Sequence, residues 1–479
     1  MKVFRKSGDK VELLALSWDA SLRLGDYLVA EEDGRRILLQ VIDVEYADVP
    51  GLMEDILRDL SGSAFEEVER LDPMDVLSVI RSIRDSRVVV AKVRRVNNAE
   101  PDVLWLPSRY TSKVRRVEVA ELLREVVPVP KVPVKLGEGV VVDVMNVEGS
   151  VTLIVGRKES GKSHLAKVLA SGLARAGCNV VVLDVNGEYV SLGRRRNGER
   201  SEVSELMKVL TPGLNYQVPL ASLSDEVLAD VMTYALGLPQ TSMRELLKLF
   251  RDLRRRNVLN FANLLRAVQS VPMNESVREA LANRLLTLES TGLFTDDRQE
   301  AEGDQLETLF PPDRGVLVVF DISKLGALQR RVFVEYLLSR LKELLLNDEI
   351  DPVVLFAEEA HLYLRETYWE DVITRMRHIG ISTVLITNQP DSIPALIYRQ
   401  ADNVFMFNMR NGSDIDHLAR NLEIDTETLR SILPNLPQGT VLAWGKVVGR
   451  LPVVFKVIDP YLMTLGRTRT KLGRMVQHG

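Results

Sequence analysis

The chain has 479 residues, 46% of them apolar and 27% charged, with a net charge of −5 and one cysteine, Cys178. That length calls for two or three domains, no apolar run approaches the ~20 residues of a membrane span, and a lone cysteine excludes an intrachain disulfide. The acidic balance excludes a protein that coats nucleic acid with its whole surface, so any basic contact must be local.

The start, MKVFRKSGDK, has basic residues but no apolar segment behind them. A signal peptide is therefore not expected, and the single thiol fits a cytoplasmic protein. No Cys/His cluster has metal-ligand spacing. Within residues 1–115, SLRLGDYLVAEEDGRRILLQVIDVEYADV predicts two strands around a turn at Asp33-Gly34. SRVVVAKVRRV and VLWLPSR predict further strands, and MEDILRDL and PMDVLSVIRSIRDS have helical spacing. This reads as a small β-barrel or sandwich with a helical insertion. Proline-spaced valines over residues 116–140 predict a stiff linker.

From Val151 strands alternate with helices, the pattern of an α/β core with a mostly parallel sheet. Its strand cores are VTLIV, NVVVLD, GVLVVFD, PVVLFAEE, STVLIT, NVFMFN and TVLAWG, near-continuous apolar runs as in strands buried on both faces. The core is expected over 141–218 and 297–458. Residues 219–296 carry only helical spacing and predict an all-helical insertion, and 459–479 predict a basic tail.

GRKESGKS fits G-x-x-x-x-G-K-[ST], with an apolar strand before it and an apolar-striped helix after it. Glycines at 156 and 161 let the backbone wrap phosphates, so amides from Gly156 and from Ser160 to His164 are candidate contacts. Lys162 is expected at the β/γ-phosphates of ATP and Ser163 on its Mg²⁺. Hydrolysis also needs an acid on the metal and one that polarises water. VVLFAEEAHLYL ends a strand in Glu358 and Glu359, and both can act only if the chain turns there, because successive strand side chains face opposite ways. Glu358 is assigned to the metal and Glu359 to the water, a pair of roles that can be exchanged. In LDVNGEY, Asp184 and Glu188 are candidates to orient water or metal, or to build a turn at Asn186-Gly187. Asn388, in TNQP, stands at a strand tip as a candidate γ-phosphate sensor, or as a cap.

GRKESGKS, LDVNGEY, LFAEEAHLYL, RMRHIGISTVLITNQPDSIP and FNMRNGSDIDHL together resemble the archaeal HerA helicases of the FtsK–HerA superfamily, in family order. The resemblance covers roughly residues 10–458. It implies a RecA-like P-loop ATPase fold with an N-terminal barrel. It also implies a homo-hexamer that moves on double-stranded DNA with ATP and Mg²⁺, and a NurA-type nuclease partner in DNA end processing for recombination repair. Arg377 stands at the family's arginine-finger position, with Arg375 as the fallback. The chain departs from the family pattern in the charged Arg157–Glu159, in Asn186, and in TNQP, which suggests a divergent paralogue. Arg194, Arg195 and Arg196 are candidates for DNA phosphates, or a solvated loop. A nucleotide-gated scaffold controlling a nuclease, and a conjugation- or secretion-type ATPase, are the alternative functions.

Overall fold

The computed structural model describes residues 1–15, 22–47, 86–96, 105–109, 111–296, 306–364, 375–422, 424–459 and 462–463. The chain divides into two compact units, one of residues 1–129, 138–140 and 406–456, the other of 130–137, 141–405 and 457–479.

The first unit opens with β1 (Lys2–Ser7), β2 (Lys10–Ala15), β3 (Tyr27–Glu32), β4 (Arg35–Tyr46), β5 (Arg87–Val96) and β6 (Lys113–Val117). They form one antiparallel sheet in the order β1-β2-β5-β4-β3-β6, curled so that its edge strands β1 and β6 touch. This is the expected small barrel. Period-2 patterning fills it: Val11, Leu13 and Ala15 of β2, Ile37, Leu39 and Val41 of β4, and Val89, Ala91 and Val93 of β5 share one core. Asp33 and Gly34 both have positive φ, 48° and 77°, the geometry of a tight hairpin turn whose twist matches its strands.

Residues 105–109, expected to be a strand, are irregular. Pro107 removes a ladder donor, and Glu32 takes the Ser108 amide at 2.8 Å. The sixth strand is instead β6, followed by α1 (Val119–Val126), so the stretch written as a stiff linker holds regular structure. The helical windows at 53–60 and 73–85 and the tail beyond 463 lie outside the described residues.

The second unit contains β7 (Pro133–Gly137), β8 (Val140–Asp143), β9 (Val151–Val155), α2 (Lys162–Arg175), β10 (Asn179–Asp184), β11 (Met207–Leu210) and β12 (Val218–Pro219). Then come α3 (Asp225–Asp230), α4 (Gln240–Arg255), α5 (Phe261–Ser270) and α6 (Glu275–Ser290), the helical stretch read from spacing, and β13 (Phe294–Thr295). β14 (Val316–Asp321), α7 (Ala327–Leu346), β15 (Val353–Ala357), α8 (His361–Leu364), β16 (Ile381–Thr387), α9 (Ala395–Gln400) and β17 (Asn403–Met406) complete it. The strands of its main sheet run β11-β14-β10-β15-β16-β9-β17, and the pairs from β11 to β9 are all parallel. β11 was not anticipated; it is a short edge strand without the long apolar run that marks the others.

The chain then returns to the first unit with α10 (Gly412–Asn421), α11 (Thr426–Ile432) and the antiparallel pair β18 (Thr440–Gly445) and β19 (Val453–Lys456). Residues 406–456, read from sequence as the end of the ATPase core, thus group with the N-terminal strands. Among the described residues no helix is long and apolar enough to cross a membrane.

Candidate nucleotide site

The parallel register decides which loops meet. Val155 at the end of β9 pairs with Thr387 of β16, and Leu385 of β16 pairs with Ala357 of β15. The residues that follow these strands therefore emerge on one edge of the sheet: the loop from Gly156, Asn388, and the pair Glu358–Glu359. Ligands in open α/β folds bind along this carboxyl edge.

The loop from β9 to α2 needs backbone conformations that side chains resist. Gly156 has φ 151° and Gly161 φ 118°, and Glu159 also takes positive φ, 62°. Arg157, Lys158 and Glu159 are exposed, while Ser160 and Lys162 are buried. The Arg157 carbonyl accepts from both Ser160 Oγ (2.7 Å) and Lys162 Nζ (2.8 Å). The first described bond into α2 runs from the Leu165 amide to the Gly161 carbonyl, so the amides before it are the orphan donors of a helix start. Burial lowers the Lys162 pKa, against the pull of Glu359, Glu358 and Glu188. A buried ammonium facing three carboxylates beside orphan amides fits a polyphosphate carrying a divalent cation. Ser163 is half-buried in the first turn of α2. His164 is not free: its Nε2 lies 2.8 Å from the Ile458 carbonyl, so any nucleotide contact at this position falls to its backbone amide.

The acid pair behaves as two different groups. β15 ends at Ala357, and Glu359 takes a left-handed φ of 51°, so the chain turns where the two-acid reading required it to turn. Glu358 is 3% exposed and its Oε1 accepts from Tyr189 OH at 2.6 Å. Burial raises its pKa to about 7, with the Tyr189 bond opposing. Glu359 Oε1 accepts from Asn388 Nδ2 at 3.4 Å. Among the described residues its buried Oε2 has no hydrogen-bond partner, and the nearby His361 Nδ1 lies 3.4 Å away. A buried carboxylate oxygen without a donor is the acceptor that a water nucleophile requires.

Asp184 corrects one reading. It is fully buried, and its two oxygens accept from the Glu188 amide (3.0 Å) and the Tyr189 amide (2.8 Å). It builds the turn rather than presenting a carboxylate to the site. Glu188 instead pairs with Lys167 Nζ at 2.8 Å. Lys167 was missed from sequence; its signal was a lysine inside the otherwise apolar run LAKVLAS.

Arg377 is not brought to this edge. It lies in the turn before β16, seven residues of strand and roughly 23 Å from the Asn388 end, and its nearest described acid is Asp402, 3.9 Å away. Arg375 shares that end of β16. The Arg194–Arg200 loop is a small braced hairpin, with an Arg194–Arg200 bridge. Arg196 clamps Asp459 at 2.9 and 3.2 Å, and Arg195 lies 3.4 Å from Glu202. Of the three arginines proposed for DNA, Arg195 and Arg196 are thus ion-paired within the chain.

Residues 140–341 match the family described as the central domain of the helicase HerA. The DNA double-strand break repair helicase HerA of Saccharolobus solfataricus is 21% identical over 64% of this chain and 63% of its own length. The protein of the same description from Sulfolobus acidocaldarius is 22% identical over 92% of this chain and 89% of its own. The match thus spans less than two thirds of the first of these relatives. Among solved structures, the bacterial conjugative coupling protein TrwB, lacking its first 70 residues, superposes with a TM-score of 0.52 at 13% identity, covering 74% of this chain and 94% of that one. A form of TrwB with a non-hydrolysable GTP analogue gives 0.50 at 14% identity over 74% and 95%. The fold is that of these P-loop ATPases.

Proposed function

We propose that this chain hydrolyses ATP and uses the turnover to drive a homo-hexameric ring along double-stranded DNA, with a NurA-type nuclease in DNA end processing. The observation that carries the reading is the convergence of buried Lys162 with Glu358 and Glu359 on one sheet edge. Lys162 would hold the β/γ-phosphates, leaving the Arg157 carbonyl to do so. Ser163 and Glu358 would hold Mg²⁺, which when bound neutralises charge on the phosphate oxygens. Glu359, whose Oε2 receives no hydrogen bond among the described residues, would accept the proton of the attacking water, and Asn388 beside it would register the γ-phosphate. The names of the HerA relatives support DNA as the track.

Arg377 lies a strand length from its own site, so a finger role requires a neighbouring subunit. That makes assembly part of the chemistry. The experiment is mixing: Arg377→Ala and Lys162→Ala proteins, each inactive alone, are combined and hydrolysis is measured. Interfaces that pair an intact loop with an intact arginine restore partial activity. No recovery in rings shown by mass to be mixed counts against action in trans.

A further inference from the structure

The proposed chemistry leaves Tyr189 without a role, yet its hydroxyl makes one of the shortest buried contacts at the site, 2.6 Å to Glu358 Oε1. The ring is fully buried. Its loop is pinned from two sides. Asp184 takes the amides of Glu188 and Tyr189. Lys167, five residues beyond Lys162 on α2, bonds Glu188 and sits over the Tyr189 ring, 5.4 Å from its centroid. A continuous line of contacts therefore runs from the phosphate-loop helix through Lys167, Glu188 and Tyr189 to the acid at the end of β15.

We infer that Tyr189 is a positioning residue for Glu358, fixing one carboxylate oxygen so that Oε2 is held for a divalent cation. The inference rests on the assignment of Glu358 to the metal. A glutamate has three side-chain torsions, and its exit from β15 leaves it near the left-handed turn at Glu359, so an external donor is what selects its rotamer. Lys167 and Glu188 hold the phenol in turn and couple its place to α2.

Tyr189→Phe tests this, because it keeps the ring packing and deletes only the hydroxyl. The expected result is a melting midpoint within about 3 °C of the parent. ATP affinity without Mg²⁺ is unchanged, the Mg²⁺ concentration for half-maximal activity rises several-fold, and kcat falls about tenfold at near-constant KM. In a Glu358→Gln background the same change costs nothing further, since the phenol acts through that carboxylate. An equal loss of kcat in both backgrounds, or Mg²⁺ dependence identical to the parent, overturns the inference. Mg²⁺-dependent tightening of a non-hydrolysable ATP analogue is read in parallel. If the parent binds the analogue but does not hydrolyse ATP, the hydrolase reading falls alone, and the weakened Mg²⁺ effect in Tyr189→Phe still decides the role of Tyr189.

Discussion

Two carboxylates, the half-buried Asp425 and the buried Glu358, one in each unit, show what distinguishes an acid that braces a fold from one held ready for chemistry. Asp425 caps α11 through the Thr428 amide and receives Lys92 Nζ at 2.9 Å and Arg94 Nη1 at 3.0 Å. Burial alone would raise its pKa; the bonds from Lys92, Thr428 and Arg94 outweigh it and hold the carboxyl well below its usual range. Glu358 is more deeply buried, has a single phenol donor among the described residues and lies near Glu188 and Asp184, and its pKa goes up to about 7. The first acid has more positive charge than it needs and gives it to the fold. The second is left short of positive charge, which a nucleotide-bound cation would supply.

The comparison breaks most sharply at the cation of the site. Lys162→Ala should lower ATP hydrolysis by at least about a hundredfold, because the loop's other lysine, Lys158, is exposed rather than buried beside the acid pair. Steady-state phosphate release checks this, and retention of half the activity would remove Lys162 from the chemistry.

Removing the structural acid should instead unfold without silencing. Asp425→Ala leaves Lys92, only 10% exposed at its side chain, without its bond to that carboxylate, and should cost about 2 kcal/mol at pH 7. The folded pKa of Asp425 is depressed, so the stability it contributes is present above about pH 4 and is lost as pH falls through its lower folded value. Urea titrations of parent and variant should therefore converge in acid. A gap that stays constant down to pH 3 would contradict the assignment.

Glu358 carries the opposite sign. Its folded pKa is raised, so its favourable contribution is complete below about pH 4.5 and is lost as pH rises through 7. In nucleotide-free protein, Glu358→Gln should be more stable than the parent at pH 8 by about 2 kcal/mol, with the difference vanishing near pH 4. Equal stability at pH 8 would mean that Glu358 is not strained by its burial.

The smallest effect is expected at the basic hairpin. Because Arg195 and Arg196 already face Glu202 and Asp459, replacing Arg194, Arg195 and Arg196 together should change the log–log salt slope of DNA binding by about 1 rather than the ~3 of three free phosphate contacts. A change near 3 would show that the ion pairs open on DNA.

Most of the core was legible because its signals are local. β9, β10, β14, β15 and β16 are apolar runs bounded by polar residues, and the phosphate loop announces itself by glycine spacing between a strand and a helix. The requirement for a turn at Glu358–Glu359 followed from strand geometry alone. What was not legible depends on register. Tyr189 meets Glu358 across 169 positions, and His164 meets Ile458 across 294. Asp184 read from sequence either as a site acid, because it ends a central strand, or as part of a turn at Asn186-Gly187, and the two amides folded back onto it favour the turn. The grouping of residues 406–456 with the N-terminal strands is invisible to composition, since β18 has the same apolar pattern as the strands of the α/β core.

The central claim is that the edge between β9, β16 and β15 performs hydrolysis, with Glu359 as the group that activates water. The direct measurement is ATP turnover by Glu359→Gln protein, with ATP affinity determined on the same preparation and with double-stranded DNA present and absent. The account predicts ATP affinity within about threefold of the parent, turnover reduced at least about a hundredfold, and no rescue by DNA. Turnover at the parental rate, with Glu358→Gln inactive, would contradict it and exchange the roles of the two acids.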